Sequence, residues 1–282
     1  MAWYSKYLTL YEKPVSAASK AVVEEIKENL RQKQSSTPLA TIAVIAYNEE
    51  KRLLSCLWSL SESRCKYPVE IVGINNNSAD GTEEVLKMTG IPYANEMQKG
   101  PGFARNKGLD MCTGKYYICI DADTMYPPAY IETMINRLQQ PGVVAACSFW
   151  SYFPDKNHSR LGLKFYEALR DVHLYLLSRK RPELCVRGMT FAHDAILGKE
   201  IKYRTDIKRG EDGSMALALK RYGKIAFVRS SKTRVITGYG TLSQDGSLLN
   251  SLKIRLRNHL GGFKNLFTKQ NNYPDNKTNI IE

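Results

Sequence analysis

Between residues 39 and 121 the chain alternates short β-branched apolar runs with helical stretches, and this alternation constrains the fold more than any other feature. Residues 39–47 (LATIAVIAY), 69–74 and 116–120 (YYICI) have no polar alternation, the mark of strands buried on both faces. Residues 48–63 between the first two runs set Leu53, Leu54, Leu57, Trp58 and Leu60 on one helical side, with Asn48 expected to cap the helix. A second helix opens within Ser78-Ala-Asp-Gly-Thr-Glu-Glu, residues 92–95 suit a short strand, and residues 102–112 a third helix. Strand, helix and strand at this spacing mean βαβ units. The expected fold is a single α/β, Rossmann-like domain with a mostly parallel central sheet flanked by helices. Functional groups of such a sheet gather beyond the carboxyl ends of its strands. Three polar clusters fall there: YNEE after the first strand, NNNSADGT after the second and DADT after the later one.

The flanks are less regular. Residues 1–37 read as a helical extension, with Val22, Val23, Ile26 and Leu30 at helical spacing in 17–32 and a linker at 34–38. Residues 38–240 form the domain, and 241–282 a basic amphipathic segment and tail. Within the domain, 143–150 suits a strand, and 187–193 and 225–228 are strand-like around a helix at 211–222. Residues 160–177 read as a helix whose stripe of Leu163, Tyr166, Leu169, Val172 and Leu176 is expected to pack in the core. The 282 residues carry 41 Lys and Arg against 28 Asp and Glu, a net charge of +13 that points toward polyanions such as nucleotide phosphates, nucleic acid or an anionic membrane face. The six cysteines have no metal-ligand spacing. No apolar run approaches the roughly 18 residues that span a bilayer, and the first residues lack the apolar core of a signal peptide, so a cytoplasmic protein is expected.

Three motifs carry chemistry. Asp121 and Asp123, two residues apart at a strand end, share a side and can both reach one hard divalent cation, Mn2+ or Mg2+. Residues 98–108 (QKGPGFARNKG) combine glycines with Lys99, Arg105 and Lys107, which suits a diphosphate; the alternative is an arginine paired with a structural acid. The spacing fits neither a phosphate-binding P-loop nor a dinucleotide-binding GxGxxG. Gly210-Glu211-Asp212-Gly opens a helix, where its acids either complement the helix dipole or supply a general base to a phosphate-binding cleft.

Ala46-Tyr-Asn-Glu-Glu50, Asn75-Asn-Asn-Ser-Ala-Asp-Gly-Thr82, residues 99–108, residues 114–123 and Gly210-Glu-Asp212 occur in this order. Together they resemble the inverting family 2 glycosyltransferases, of GT-A fold, over residues 39–228. The resemblance implies a nucleotide-sugar donor, a UDP-sugar first among them, held by Ala46, Tyr47, Glu49, Asn75, Asn76, Asp80, Lys99, Arg105 and Asp121. Asn75 stands where the family commonly has an acid. The resemblance also implies Mn2+ or Mg2+ on Asp123 and Asp121, and Asp212 as catalytic base. Gly188, Met189 and Glu211 fall on the acceptor side, the acceptor being a glycan or a lipid-linked hydroxyl.

Two other readings fit less well. A sugar-nucleotide nucleotidyltransferase would carry a basic Gly-rich signature after the first strand, where AYNEE is acidic. A nucleic-acid-binding protein would interleave basic and aromatic residues on one face, and no such face is evident, so no nucleic-acid partner is expected. Residues 247–269 array Leu248, Leu249, Leu252, Leu256, Leu260, Phe263, Leu266 and Phe267 among five cations. Such a segment either attaches the protein peripherally to an anionic membrane at its cytoplasmic face, or covers the sheet or builds a dimer.

Overall fold

The computed structural model describes residues 2–154 and 159–239. Helix α1 (Lys20–Gln32) starts at Ser19, whose hydroxyl accepts from the Val22 amide at 3.3 Å, and buries Ile26 and Leu30 against α2 (Leu53–Ser61) and α3 (Thr82–Thr89). The extension is thus a layer of the domain. Strands β1 (Ala40–Ala46), β2 (Val69–Asn75), β3 (Tyr93–Asn95) and β4 (Tyr116–Asp121) are parallel, with α4 (Pro101–Met111) packed over β1 and β2.

The chain then makes β5 (Thr124–Met125), α5 (Tyr130–Leu138), β6 (Val143–Ser148), β7 (Trp150–Tyr152) and α6 (Arg160–Ser178). Strand β8 (Phe191–Asp194), α7 (Ala195–Ile201), α8 (Glu211–Leu219), β9 (Lys224–Val228) and β10 (Val235–Thr237) complete the described chain. Among the described residues the main sheet has seven strands in the order β3-β2-β1-β4-β8-β6-β9. Only β8 runs against its neighbours, in register Tyr116↔Asp194 on β4 and Cys147↔Phe191 on β6. A three-stranded sheet, β5-β10-β7, stands beside the end of β4.

Three expectations change. Asn48 does not cap the helix after β1; that helix begins at Leu53, and Asn48 takes a left-handed conformation (φ 55°) to join a neighbouring loop. Residues 188–190 form a 3-10 turn, so the acceptor-side strand expected at 187–193 is only Phe191–Asp194. In α6 the inward stripe is Leu163, Tyr166, Arg170, Leu174 and Leu177, while Leu169, Val172 and Leu176 face outward. The inner face accepts Arg170 because its guanidinium donates to the Trp150 carbonyl and lies 4.4 Å from the Trp150 ring centroid. Residues 247–269 lie outside the described residues. Among those described, no helix is long and apolar enough to cross a membrane.

Candidate active site

A cleft of about 670 Å³ opens beyond the carboxyl ends of β1 and β4, between them and the start of α8. Ala46, Tyr47, Glu49, Asn76, Lys99, Arg105, Asp121, Asp123, Glu211 and Asp212 line it; Asn75, Asp80, Gly188 and Met189 do not.

The loops after β1 and β2 interlock side chain to backbone. The Asn48 and Glu50 amides donate to Ser78 Oγ (3.0 Å) and Asp80 Oδ2 (3.2 Å). In return Asn48 Oδ1 and Glu50 Oε2 accept from the Ala79 and Gly81 amides at 2.8 and 2.7 Å. Asp80 Oδ1 also accepts from the Thr82 amide that opens α3. Asp80 therefore orders its loop. The amide of Asn76 spans the next loop, donating to the Gln98 carbonyl at 2.7 Å and accepting from Gly100 N at 3.0 Å. Asn75 donates to Asn95 Oδ1 and accepts from Ser78 N. Both of these amides, expected to hold the donor, hydrogen-bond to the scaffold.

Arg105 departs furthest from expectation. It is 1% exposed and its guanidinium does not point freely at a diphosphate. It donates to Asp121 Oδ1 at 2.6 Å, and its Nε lies 3.4 Å from Asp212 Oδ1, close enough for an ion pair yet poorly aligned for a hydrogen bond. This is the structural-acid alternative, except that both acids line the cleft. Gly188 makes the arrangement possible: a Cβ there would sit 2.0 Å from Arg105 Nη2 and 2.7 Å from Asp212 Oδ2. Gly188 is thus a wall against which acid and guanidinium rest, and Met189 offers its carbonyl to Tyr126 Oη at 3.1 Å. Gly210, at φ 97°, turns the chain into α8 so that Glu211 and Asp212 occupy its first turn. Burial raises both carboxyls above their ordinary range; for Asp212 the Arg105 charge opposes this, while for Glu211 the Asp212 charge adds to it.

The other acids crowd together. Burial, then the neighbouring Asp121, pushes the Asp123 carboxyl up to about 6. Burial and the Asp123 charge push Glu49 up to about 8, with Arg52 pulling it back. Asp121 and Asp123 engage protein donors through Oδ1 (Arg105; Thr124 Oγ1 at 2.9 Å), and among the described residues neither Oδ2 accepts a hydrogen bond. Two adjacent carboxylates, each with a spare oxygen, fit a hard divalent cation, which would also offset the cost of charging the buried Asp123. Among the described residues no three acids, histidines or cysteines form a ready-made cage, so ligands beyond the two carboxylates would come from a bound phosphate or water.

Two contributors carried weaker sequence signals. Lys208, in the basic stretch before Gly210, joins Lys99 on the rim, where Lys99 Nζ stands 5.6 Å from the Tyr47 ring centroid. Tyr11, far off in sequence, donates its hydroxyl to the Asp123 carbonyl at 3.2 Å, and Glu12 beside it pairs with Arg52, which also pairs with Glu49. Tyr11 and Tyr7 pack with Met125 and Ile236 in a small core against the three-stranded sheet. Nothing local in residues 1–19 signals that contact.

Known proteins with this architecture agree with it. PcManGT, a mannosyltransferase from Pyrobaculum calidifontis solved with GDP-Man and Mn2+, superposes with a TM-score of 0.57 at 17% identity, over 87% of this chain and 71% of that one. TarS of S. aureus gives 0.53 at 16% identity, over 71% and 60%. These likenesses establish the GT-A fold. The putative glycosyltransferase EpsH of Bacillus subtilis is 30% identical over 124 residues, 42% of this chain and 36% of EpsH. Glycosyltransferase GlyA of Streptococcus pneumoniae is 27% identical over 61% of this chain and 27% of its own length. The chain thus spans about a third of these curated relatives. The family model described as glycosyl transferase family 2 matches residues 41–198, more than half of the chain, and covers both the interlocked loops and the Asp121–Asp123 pair. By that match the chain belongs to glycosyl transferase family 2.

Proposed function

We propose that the protein transfers a sugar from a nucleotide-sugar donor to an acceptor hydroxyl with inversion at the anomeric carbon. The observation that carries this is the meeting of Asp212 and Asp121 on one buried guanidinium inside one cleft. A general base and a donor-side acid are thereby held at a fixed separation.

In this reading Asp212 takes the proton of the acceptor hydroxyl as its oxygen attacks the anomeric carbon. The bond from that carbon to the diphosphate oxygen breaks, and its electron pair leaves with the nucleoside diphosphate. The raised Asp212 carboxyl is a stronger base than an exposed aspartate, while the Arg105 charge beside it favours the ionised form. Glu211, beside it, faces the acceptor side. Lys99 and Lys208 meet the diphosphate from the rim, and Ala46, Tyr47 and Glu49 border the nucleoside. Asp123 and Asp121 would hold Mn2+ or Mg2+, which when bound neutralises charge on the diphosphate. A UDP-sugar is the donor favoured here: TarS is solved with UDP-GlcNAc, and glucosyl-3-phosphoglycerate synthase from Mycobacterium tuberculosis with Mn2+ and UDP-Glc. The acceptor is a glycan or lipid-linked hydroxyl.

Thermal shift and saturation binding with UDP and GDP, each with and without Mn2+, test the donor site. Binding to UDP that needs Mn2+ and is lost in Asp123→Ala is expected; unchanged metal dependence in that variant overturns the assignment. Asp212→Asn is expected to keep donor affinity and lose about 10²–10⁴-fold in transfer rate. Parent-like turnover would remove Asp212 as the base.

A further inference from the structure

Helix α6 has two apolar stripes, and only one faces the core. The outward one consists of Leu161 (80% exposed), Phe165 (65%), Leu169 (44%), Val172 (60%) and Leu176 (60%). Its spacing keeps these side chains in one line along a 19-residue helix about 28 Å long. The other large exposed apolar side chains among the described residues, Tyr47, Met97, Ile196 and Tyr222, belong to four separate segments. A continuous apolar line of this length marks a surface that meets something.

Charge selects the occupant. Cations stand at both ends of the stripe: Arg160 and Lys164 in the first turns, Arg179 and Lys180 after the last, and Arg229 3.9 Å from the Tyr175 ring centroid. The two acids of the helix are held elsewhere. Glu167 accepts from Ser151 Oγ at 2.9 Å and the Tyr152 amide at 2.7 Å, and Asp171 pairs with Arg170 and Arg234. A second copy laid along the stripe would set cations against cations: Arg160 and Lys164 would face Arg179 and Lys180 in antiparallel pairing, or their own counterparts in parallel pairing. The chain's own residues 247–269 carry Lys253, Arg255, Arg257, Lys264 and Lys269, with no acid between Asp245 and Asp275, so they match this surface no better. An anionic lipid surface satisfies both features, taking the apolar line at its acyl boundary and the cations at its headgroup phosphates.

We propose that α6 docks the protein on an anionic bilayer surface, lying in the interface with Leu161, Phe165, Leu169, Val172 and Leu176 turned into the lipid. This goes beyond sugar transfer and does not depend on it.

The test is flotation of the full chain with phosphatidylcholine vesicles, with and without phosphatidylglycerol. Salt-sensitive binding to the anionic vesicles is expected, with little to the neutral ones. The double variant Phe165→Ser/Val172→Ser removes apolar surface already in solvent, so its melting temperature should match the parent's, while its vesicle partition should drop about tenfold or more. Arg160→Gln/Lys164→Gln should lower partition about fivefold per cation. Absence of flotation with anionic vesicles overturns the proposal. Parent-like flotation of the apolar double variant also overturns it and assigns the binding to another element. A dimer by light scattering that the same variant converts to monomer overturns it in favour of a second copy.

Discussion

The loops at the β1–β2 edge and the acids at the β4–α8 edge are held by opposite means. At the first edge Asn48, Glu50, Asp80 and Asn76 each bind backbone amides or carbonyls of a neighbouring loop, so the load is shared among many hydrogen bonds. At the second edge a single buried side chain, Arg105, stands between Asp121 and Asp212. Each bond of a distributed lattice contributes about 1 kcal/mol and can be lost singly. A buried guanidinium between two carboxylates cannot, because its removal leaves two charges without a partner. The first edge should bend under mutation, and the second should break.

The sharpest way to break that comparison is Arg105→Met. Loss of roughly 3–5 kcal/mol in urea unfolding is expected, with loss of nucleotide binding. A loss below about 1.5 kcal/mol would mean that the pairing is incidental.

A second test uses His193, buried beside the same edge, with one ring nitrogen 2.8 Å from the Asp194 carbonyl and the other 2.9 Å from Tyr203 Oη. Burial depresses its pKa to about 4, so the unfolded chain takes up a proton that the folded one refuses. The corresponding stability, roughly 3 kcal/mol, is fully present above pH 6.5 and is lost as pH falls toward 4. In His193→Phe the stability should be lower at pH 7 but fall less over that interval. Parallel pH curves for parent and variant would remove His193 as the acid-sensitive group.

The smallest effect belongs to the distributed edge. Asp80→Ala removes the acceptor for the Glu50 and Thr82 amides and should cost about 1 kcal/mol, read as a small drop in melting temperature with nucleotide binding retained. A cost equal to that of Arg105→Met would erase the distinction between the two edges.

The same contrast explains what the sequence discloses. Strands β1, β2 and β4 are legible because burial on both faces imposes uninterrupted β-branched runs on a local stretch of chain. The pairs β5–β10 and β10–β7 are not, since two- and three-residue strands are made by partners more than eighty residues away, such as Thr124 with Thr237 and Tyr152 with Thr237. Helix α5 is marked only by Ile131, Met134, Ile135 and Leu138 at helical spacing after Pro127-Pro128, a short stripe with no capping side chain. In α6 two apolar stripes competed, and the inner one was disguised by Arg170, whose acceptor is the distant Trp150 carbonyl. The site residues divide similarly. Motif order locates Asp121, Asp123 and Asp212, but the partners of Arg105, Asn75 and Asn76 depend on side-chain contacts between distant segments, which no spacing encodes. Tyr11 lies wholly beyond such reading.

The reversal of β8 has a consequence for how this scaffold can change. Because that strand runs against its neighbours, it brings the turn before its amino end, with Gly188, against Arg105 and Asp212. The peptide leading into it is anchored before the strand begins: Glu183, Cys185 and Val186 are buried, and Glu183 pairs with Arg181 and Lys220. A change of length in 182–185 would therefore unseat that buried ion pair even where Phe191–Asp194 stays zipped between β4 and β6. For protein engineering it is a junction to avoid: a foreign loop inserted there would displace the buried Glu183 and leave Arg181 and Lys220 without its carboxylate.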